Sequence, residues 1–158
     1  MPGAMLHFAY GSNMDAAAMR RRCPGAEPLG TARLHNWRFV VTRDGYASVT
    51  PSLGQVVHGV LWRLGPRDLA AVNVYEAVDS GLYRRRMLTV RHNGGCVQAL
   101  VYVGRENSLG RPRPGYQDTI LTAAREWRLP QDYVRALERW KPARGASSAR
   151  ATEAGESA

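Results

Sequence analysis

Two short segments of this chain carry residues that could do chemistry. The first is Phe8-Ala9-Tyr10-Gly11-Ser12-Asn13, after the apolar start Met5-Leu6-His7. A strand running into a glycine, a hydroxyl and an amide is a turn. Gly11 permits backbone angles that a residue with Cβ resists. Ser12 and Asn13 can bond back to the chain or hold a ligand. Such a turn can aim several N–H groups at one anionic group; it can equally be an ordinary bend after a first strand. The second is Glu76, within Val72-Asn73-Val74-Tyr75-Glu76-Ala77-Val78. A carboxyl among apolar neighbours is desolvated, which raises its pKa from about 4.3 toward that of a working general base. The alternative is a helix-end glutamate that faces water or pairs with a nearby arginine.

Other chemistries find little support. His7, His35, His58 and His92 are scattered, with no H-x-x-x-H pair. Cys23 and Cys96 form no C-x-x-C pair, so they make neither a zinc site nor a disulfide framework. Both read as free, buried thiols. No Walker A loop, G-x-G-x-x-G or G-x-S-x-G is present. No metal site is expected.

The 158 residues are 44% hydrophobic and 22% charged, ordinary values for a soluble globular protein. No apolar run approaches the roughly 20 residues that span a bilayer. The first residues lack the pattern of a secretory signal. The expected location is therefore the cytoplasm, with no membrane partner. The net charge of +9 gathers in Arg20-Arg21-Arg22 and Arg84-Arg85-Arg86. A basic surface attracts polyanions non-specifically. No aromatic interleaving and no nucleic-acid motif accompany these arginines. They read as solvated surface, and no specific nucleic-acid partner is expected.

The elements that must position the two segments follow from pattern. Met5–Tyr10 predicts a first strand, and Asp15–Arg22 a short helix closed by Pro24-Gly25. Strands are expected over Gly30–Thr42 and Val56–Leu64. Pro66 opens a helix, where its missing N–H costs little, running to about Glu76. Tyr83–Arg91 and Cys96–Val103 flank an Asn93-Gly94 hairpin turn. Helices follow at Gln117–Trp127 and Gln131–Trp140. Strands before helices indicate an α+β fold. Five or six such strands could close into a small barrel, although periodicity does not show closure. Residues 1–141 read as one domain. Residues 142–158, without a large apolar side chain, read as a disordered tail.

Taken together, Phe8–Asn13 and Val74-Tyr75-Glu76 resemble the γ-glutamylcyclotransferase-like family. Thr31–Phe39, Gly59–Leu64, Gly81-Leu82-Tyr83-Arg84-Arg85, Pro114-Gly115-Tyr116 and Leu129–Tyr133 agree with it, so the resemblance covers about residues 5–140. It implies a small mixed β-barrel flanked by helices and an enzyme releasing 5-oxoproline from a small-molecule γ-glutamyl compound, without metal, nucleotide or other cofactor. Glu76 would be the general acid/base. Tyr10, Gly11, Ser12 and Asn13 would hold the substrate's anionic groups, and Tyr116 would hydrogen-bond near it. The chain departs from the family's pattern at Val72-Asn73, where Leu-Asp is common, and at Ala77, where glycine is frequent. Three functions stay open: a cyclotransferase for γ-glutamyl amino acids, the same chemistry on a γ-glutamylamine or other γ-glutamyl metabolite, and a non-catalytic pocket-binding or basic RNA-binding module.

Overall fold

The computed structural model describes residues 3–78 and 80–142. The expected tail beyond Pro142 lies outside the described residues. Five strands form the body: β1 (Met5–Ala9), β2 (Glu27–Val41), β3 (Ala47–Leu64), β4 (Tyr83–His92) and β5 (Gly95–Gly104). Four helices accompany them: α1 (Ala16–Arg22), α2 (Pro66–Tyr75), α3 (Tyr116–Glu126) and α4 (Gln131–Glu138).

The strands close into a barrel in the order β1-β3-β2-β4-β5. All pairings are antiparallel except the closing one, where His7 of β1 meets Leu100 of β5 in parallel. The expected mixed barrel flanked by helices is therefore what the chain forms. Closure turns the alternation of each strand into an inside and an outside. It also leaves less open edge than a flat sheet of this length would carry.

The long β2–β3 hairpin exceeds its expected extent at one end. β3 begins at Ala47, nine residues before the predicted Val56. The segment Ser48-Val49-Thr50-Pro51-Ser52 looks like loop because it is polar and holds a proline. However, β1 pairs with β3 only over Val60–Leu64. One side of β3 is thus an edge at Pro51, where a missing N–H is tolerated. The hairpin bends where its register shifts between His35 and Trp37, with Asn36 at φ 69°.

Gly59 shows how tightly the barrel is drawn at the site end. A Cβ there would lie 2.2 Å from the Ala9 carbonyl oxygen and 2.9 Å from Phe8 Cζ. Neither the β1 backbone nor the buried Phe8 ring can yield. His7, also on β1, is buried, and its Nδ1 meets the Leu100 carbonyl oxygen at 3.1 Å. Burial lowers its pKa from 6.5 to about 4; the Leu100 contact opposes that and the Arg22 charge adds to it.

One expectation about cysteines is corrected. Cys23 is buried, but Cys96 is exposed, because it sits at the start of β5, one residue past the Asn93-Gly94 turn.

Two outcomes follow from this packing. Gly59→Ala should lower unfolding stability by about 1–3 kcal/mol, read from the urea midpoint. The second concerns pH. Between about pH 6.5 and 4 the unfolded chain binds a proton at His7 that the native chain does not. Stability should therefore fall as pH drops through that window, by up to about 3 kcal/mol from this group. His7→Gln should flatten that limb of a stability-against-pH curve; an unchanged slope would assign the loss to other groups.

Candidate active site

The turn after β1 is a single 3-10 turn, Ser12–Met14, with Met14 N–H donating to the Gly11 carbonyl at 3.0 Å. Gly11 takes φ −121° and ψ −134°, so the left-handed freedom of glycine is not what this turn uses. Two anchors set the turn in place. Asp15 caps α1 by accepting from Ala17 N–H at 3.0 Å and Ala18 N–H at 3.3 Å. Trp127, just past α3, donates its indole N–H to the Met14 carbonyl at 2.8 Å.

Glu76 ends α2 and is completely buried. Its backbone position comes from a Schellman ending. Ala77 N–H donates to the Val74 carbonyl at 3.0 Å, and Val78 N–H to the Asn73 carbonyl at 3.2 Å. That ending needs a left-handed residue, and Ala77 supplies it at φ 52°. This is the physical reason a glycine suits the position. The start of α2 is tied down by Asp68, which accepts from Gly25 N–H and Gly65 N–H, both at 3.3 Å.

The burial of Glu76 does not come from the neighbours that the sequence offers. Val74 is 79% exposed, although Val72 is buried. What covers the carboxyl is the barrel end and the turn after β1. Asn13 donates its side-chain amide to Glu76 Oε1 at 2.9 Å. Arg22 donates to Asn13 Oδ1 at 2.5 Å, which fixes the orientation of that amide. The Arg22 guanidinium also lies 3.4 Å from the centre of the Tyr75 ring, a cation–π distance. Tyr75 hydroxyl and Ser12 Oγ are 2.9 Å apart. The turn and the helix end therefore meet at two adjacent residue pairs, Asn13 with Glu76 and Ser12 with Tyr75.

Buried tyrosines surround this junction. Tyr10 donates its hydroxyl to the Tyr102 carbonyl at 2.5 Å. Tyr102 donates in turn to Asn73 Oδ1 at 2.5 Å. Asn73 thus keeps an acceptor where an aspartate is common in the resembling family. Tyr116 accepts from Ala47 N–H at 3.1 Å, and Tyr83 donates to the Ala47 carbonyl. Burial pushes the pKa of Tyr10, Tyr83, Tyr102 and Tyr116 upward, and the Glu76 charge adds to each. All four stay protonated at neutral pH and can only donate or accept hydrogen bonds.

Of the predicted site residues, Asn13 touches Glu76 directly and Ser12 touches its neighbour Tyr75. Tyr10 and Tyr116 lie within the field of the carboxyl, and Gly11 closes the turn. Sequence reasoning missed Arg22, Tyr75, Tyr83 and Tyr102 as members of this cluster. By sequence Arg22 reads as one of three surface arginines, yet it stands three residues after buried Met19 and one before buried Cys23. Helical spacing places it on the inner face of α1. Among the described residues, no group of three or more His, Cys, Asp or Glu side chains is placed to hold a metal. No described helix is long and apolar enough to cross a membrane.

Comparison with known proteins bears on this geometry. The AIG2-like family model matches residues 56–137. γ-Glutamylcyclotransferase of Bos taurus is 28% identical over 150 residues, covering 88% of this chain and 80% of the bovine protein. That of Homo sapiens is 27% identical over 150 residues, covering 88% and 80%. A solved γ-glutamyl cyclotransferase structure superposes with a TM-score of 0.85 at 25% identity, covering 95% of this chain and 94% of that one.

The left-handed alanine generates a test of the helix end. Ala77→Gly should raise stability by about 1 kcal/mol, since the left-handed conformation costs an alanine about 1–2 kcal/mol and glycine's unfolded-state entropy returns part of that. A thermal melt should move up by a few degrees; a lower melting temperature would contradict the strain assigned to Ala77.

Proposed function

The chain belongs to the AIG2-like family, and is γ-glutamylcyclotransferase-like in sequence and fold; on that footing we propose that it releases 5-oxoproline from γ-glutamyl compounds, with Glu76 as general acid/base. The observation that carries this reading is a fully buried carboxyl held by the amide of the turn after β1.

The reaction needs little machinery beyond that pair. The substrate's α-amine attacks its own γ-carbonyl, so a ring C–N bond forms while the γ-amide C–N bond breaks. At neutral pH the amine is an ammonium and cannot attack. Glu76 takes one proton before the attack and a second from the ring nitrogen after it, passing each to the departing amine, which leaves as an ammonium. No outside reactant is consumed. Because nucleophile and electrophile belong to one molecule, holding it bent supplies much of the advantage of orientation.

The other residues suit supporting roles. Asn13 holds the Glu76 carboxyl in one orientation, and Arg22 holds Asn13. Backbone N–H groups across Tyr10–Asn13 would meet the substrate's α-carboxylate or the oxyanion that forms on the γ-carbonyl, where donors already in place are worth most. The tyrosines remain neutral and supply a dry, hydrogen-bonding wall. Tyr116 works through its grip on the Ala47 N–H, beside the Tyr83 bond to the Ala47 carbonyl. Ser12 is not a nucleophile in this scheme, since the substrate's amine takes that part.

Glu76→Gln keeps the hydrogen bond from Asn13 within reach but cannot take a proton. Release of 5-oxoproline from a panel of γ-glutamyl amino acids and amines should fall at least about a hundredfold in that variant. Full activity there would end the assignment of Glu76, and ligand binding without product in the parent chain would indicate a non-catalytic pocket.

A further inference from the structure

The barrel wall opens between β2 and β4. β2 pairs with β4 at Arg33–Arg91, and that ladder does not extend to Arg38 and Arg86. The two strands diverge there, and a cleft of about 230 Å³ occupies the gap. Its walls are the paired faces of the two hairpins. Arg38 stands opposite Thr50 and Val40 opposite Ser48 on one; Arg84 stands opposite Val103 on the other.

Three guanidiniums line this small space: Arg38, Arg84 and Arg86. Among the described residues, none of the three makes an ion pair. Glu106 is a lining carboxylate, and Arg43 already holds it at 3.2 Å. Arg86 lies 5.7 Å from the centre of the Trp37 ring, which steadies its plane. The cleft lining thus carries three arginines against one carboxylate, which Arg43 already engages. Planar guanidiniums bind carboxylates through two parallel hydrogen bonds.

One lining residue, Ser48, leads toward the tyrosines around Glu76. Ser48 lines the cleft and accepts from Gly104 N–H at 2.9 Å. Its chain neighbour Ala47 is bonded by two tyrosines in the field of Glu76: Tyr83 donates to the Ala47 carbonyl, and Tyr116 accepts from the Ala47 N–H. Ala47 and its two tyrosine partners therefore stand between the arginine cluster and Glu76.

We propose that this cleft is an anion subsite for the leaving side of the substrate, and that it favours a leaving amine carrying two carboxylates, a dicarboxylic amino acid. Its assignment to the leaving side rests on the cyclotransferase reading. Three unpaired guanidiniums exceed what one carboxylate can engage, and two carboxylates can each take a guanidinium face. The volume is below the range of pockets for drug-sized ligands, which suits one amino acid rather than a longer peptide.

The test compares γ-glutamyl-glutamate, γ-glutamyl-alanine and γ-glutamyl-ethylamide at low ionic strength. The parent protein should process the glutamate compound with a kcat/KM at least about tenfold above the other two, and added salt should shrink that gap. The double variant Arg84→Gln, Arg86→Gln should lose the preference. Should that variant not fold, as judged by circular dichroism, Arg38→Gln on the opposite wall makes the same test. Equal kcat/KM for the three compounds, or a preference the variants keep, would overturn the inference. If no γ-glutamyl compound yields 5-oxoproline, the cyclotransferase reading fails, and calorimetric titration with glutarate decides the subsite. Binding that the arginine variants lose supports it; absence of binding overturns it.

Discussion

A carboxyl group with no exposure to water sits where a turn and a helix end meet, and the amide of Asn13 answers it. A buried charge without a partner is costly, so the partners must be held before the carboxyl can be tolerated there. Most of the fold serves that condition. Arg22 orients Asn13, and Trp127 and Asp15 hold the turn. Asp68 and the Schellman ending hold the helix. Barrel closure brings β1 beside β3 and β5, so that Tyr10 and Tyr102 share one hydrogen-bonded wall.

The positive charge of the chain divides between two tasks in this arrangement. Arg22 is drawn inward, against Asn13 and the Tyr75 ring. Arg84 and Arg86 face the cleft between the hairpins, with Arg38 across from them. The same residue type therefore orients a polar partner in one place and leaves charge unmatched in another. Burial and spacing separate the two, since a guanidinium with a fixed acceptor is a structural part, while one facing an open cleft can meet a ligand.

Much of the architecture was legible because local signals agreed. Pro66 at the start of α2, Asn93-Gly94 between β4 and β5, and the Leu129-Pro130 break between α3 and α4 each mark a boundary by backbone chemistry alone. The early part of β3 was not legible, since Pro51 and its polar neighbours look like loop until the edge they occupy is known. Cys96 was misread as buried because a thiol's usual habit says nothing about a hairpin turn. Arg22 was hidden among three arginines whose sequence is uniform but whose helical faces differ.

Residue order by itself determined the α+β pattern, the turn after the first strand and the pairing of that turn with Glu76 as a recognisable set. Those features rest on local backbone preference and on residue identity, which the chain carries without folding. Tertiary structure alone decided that the Glu76 carboxyl is dry, that the Asn13 side chain reaches it, and that Arg22 stands behind Asn13. Val74 illustrates the reason. It adjoins Glu76 in sequence and faces solvent, while Asn13, sixty-three residues away, makes the contact. Burial belongs to surfaces brought together across the barrel end, and no neighbour in the chain can supply it.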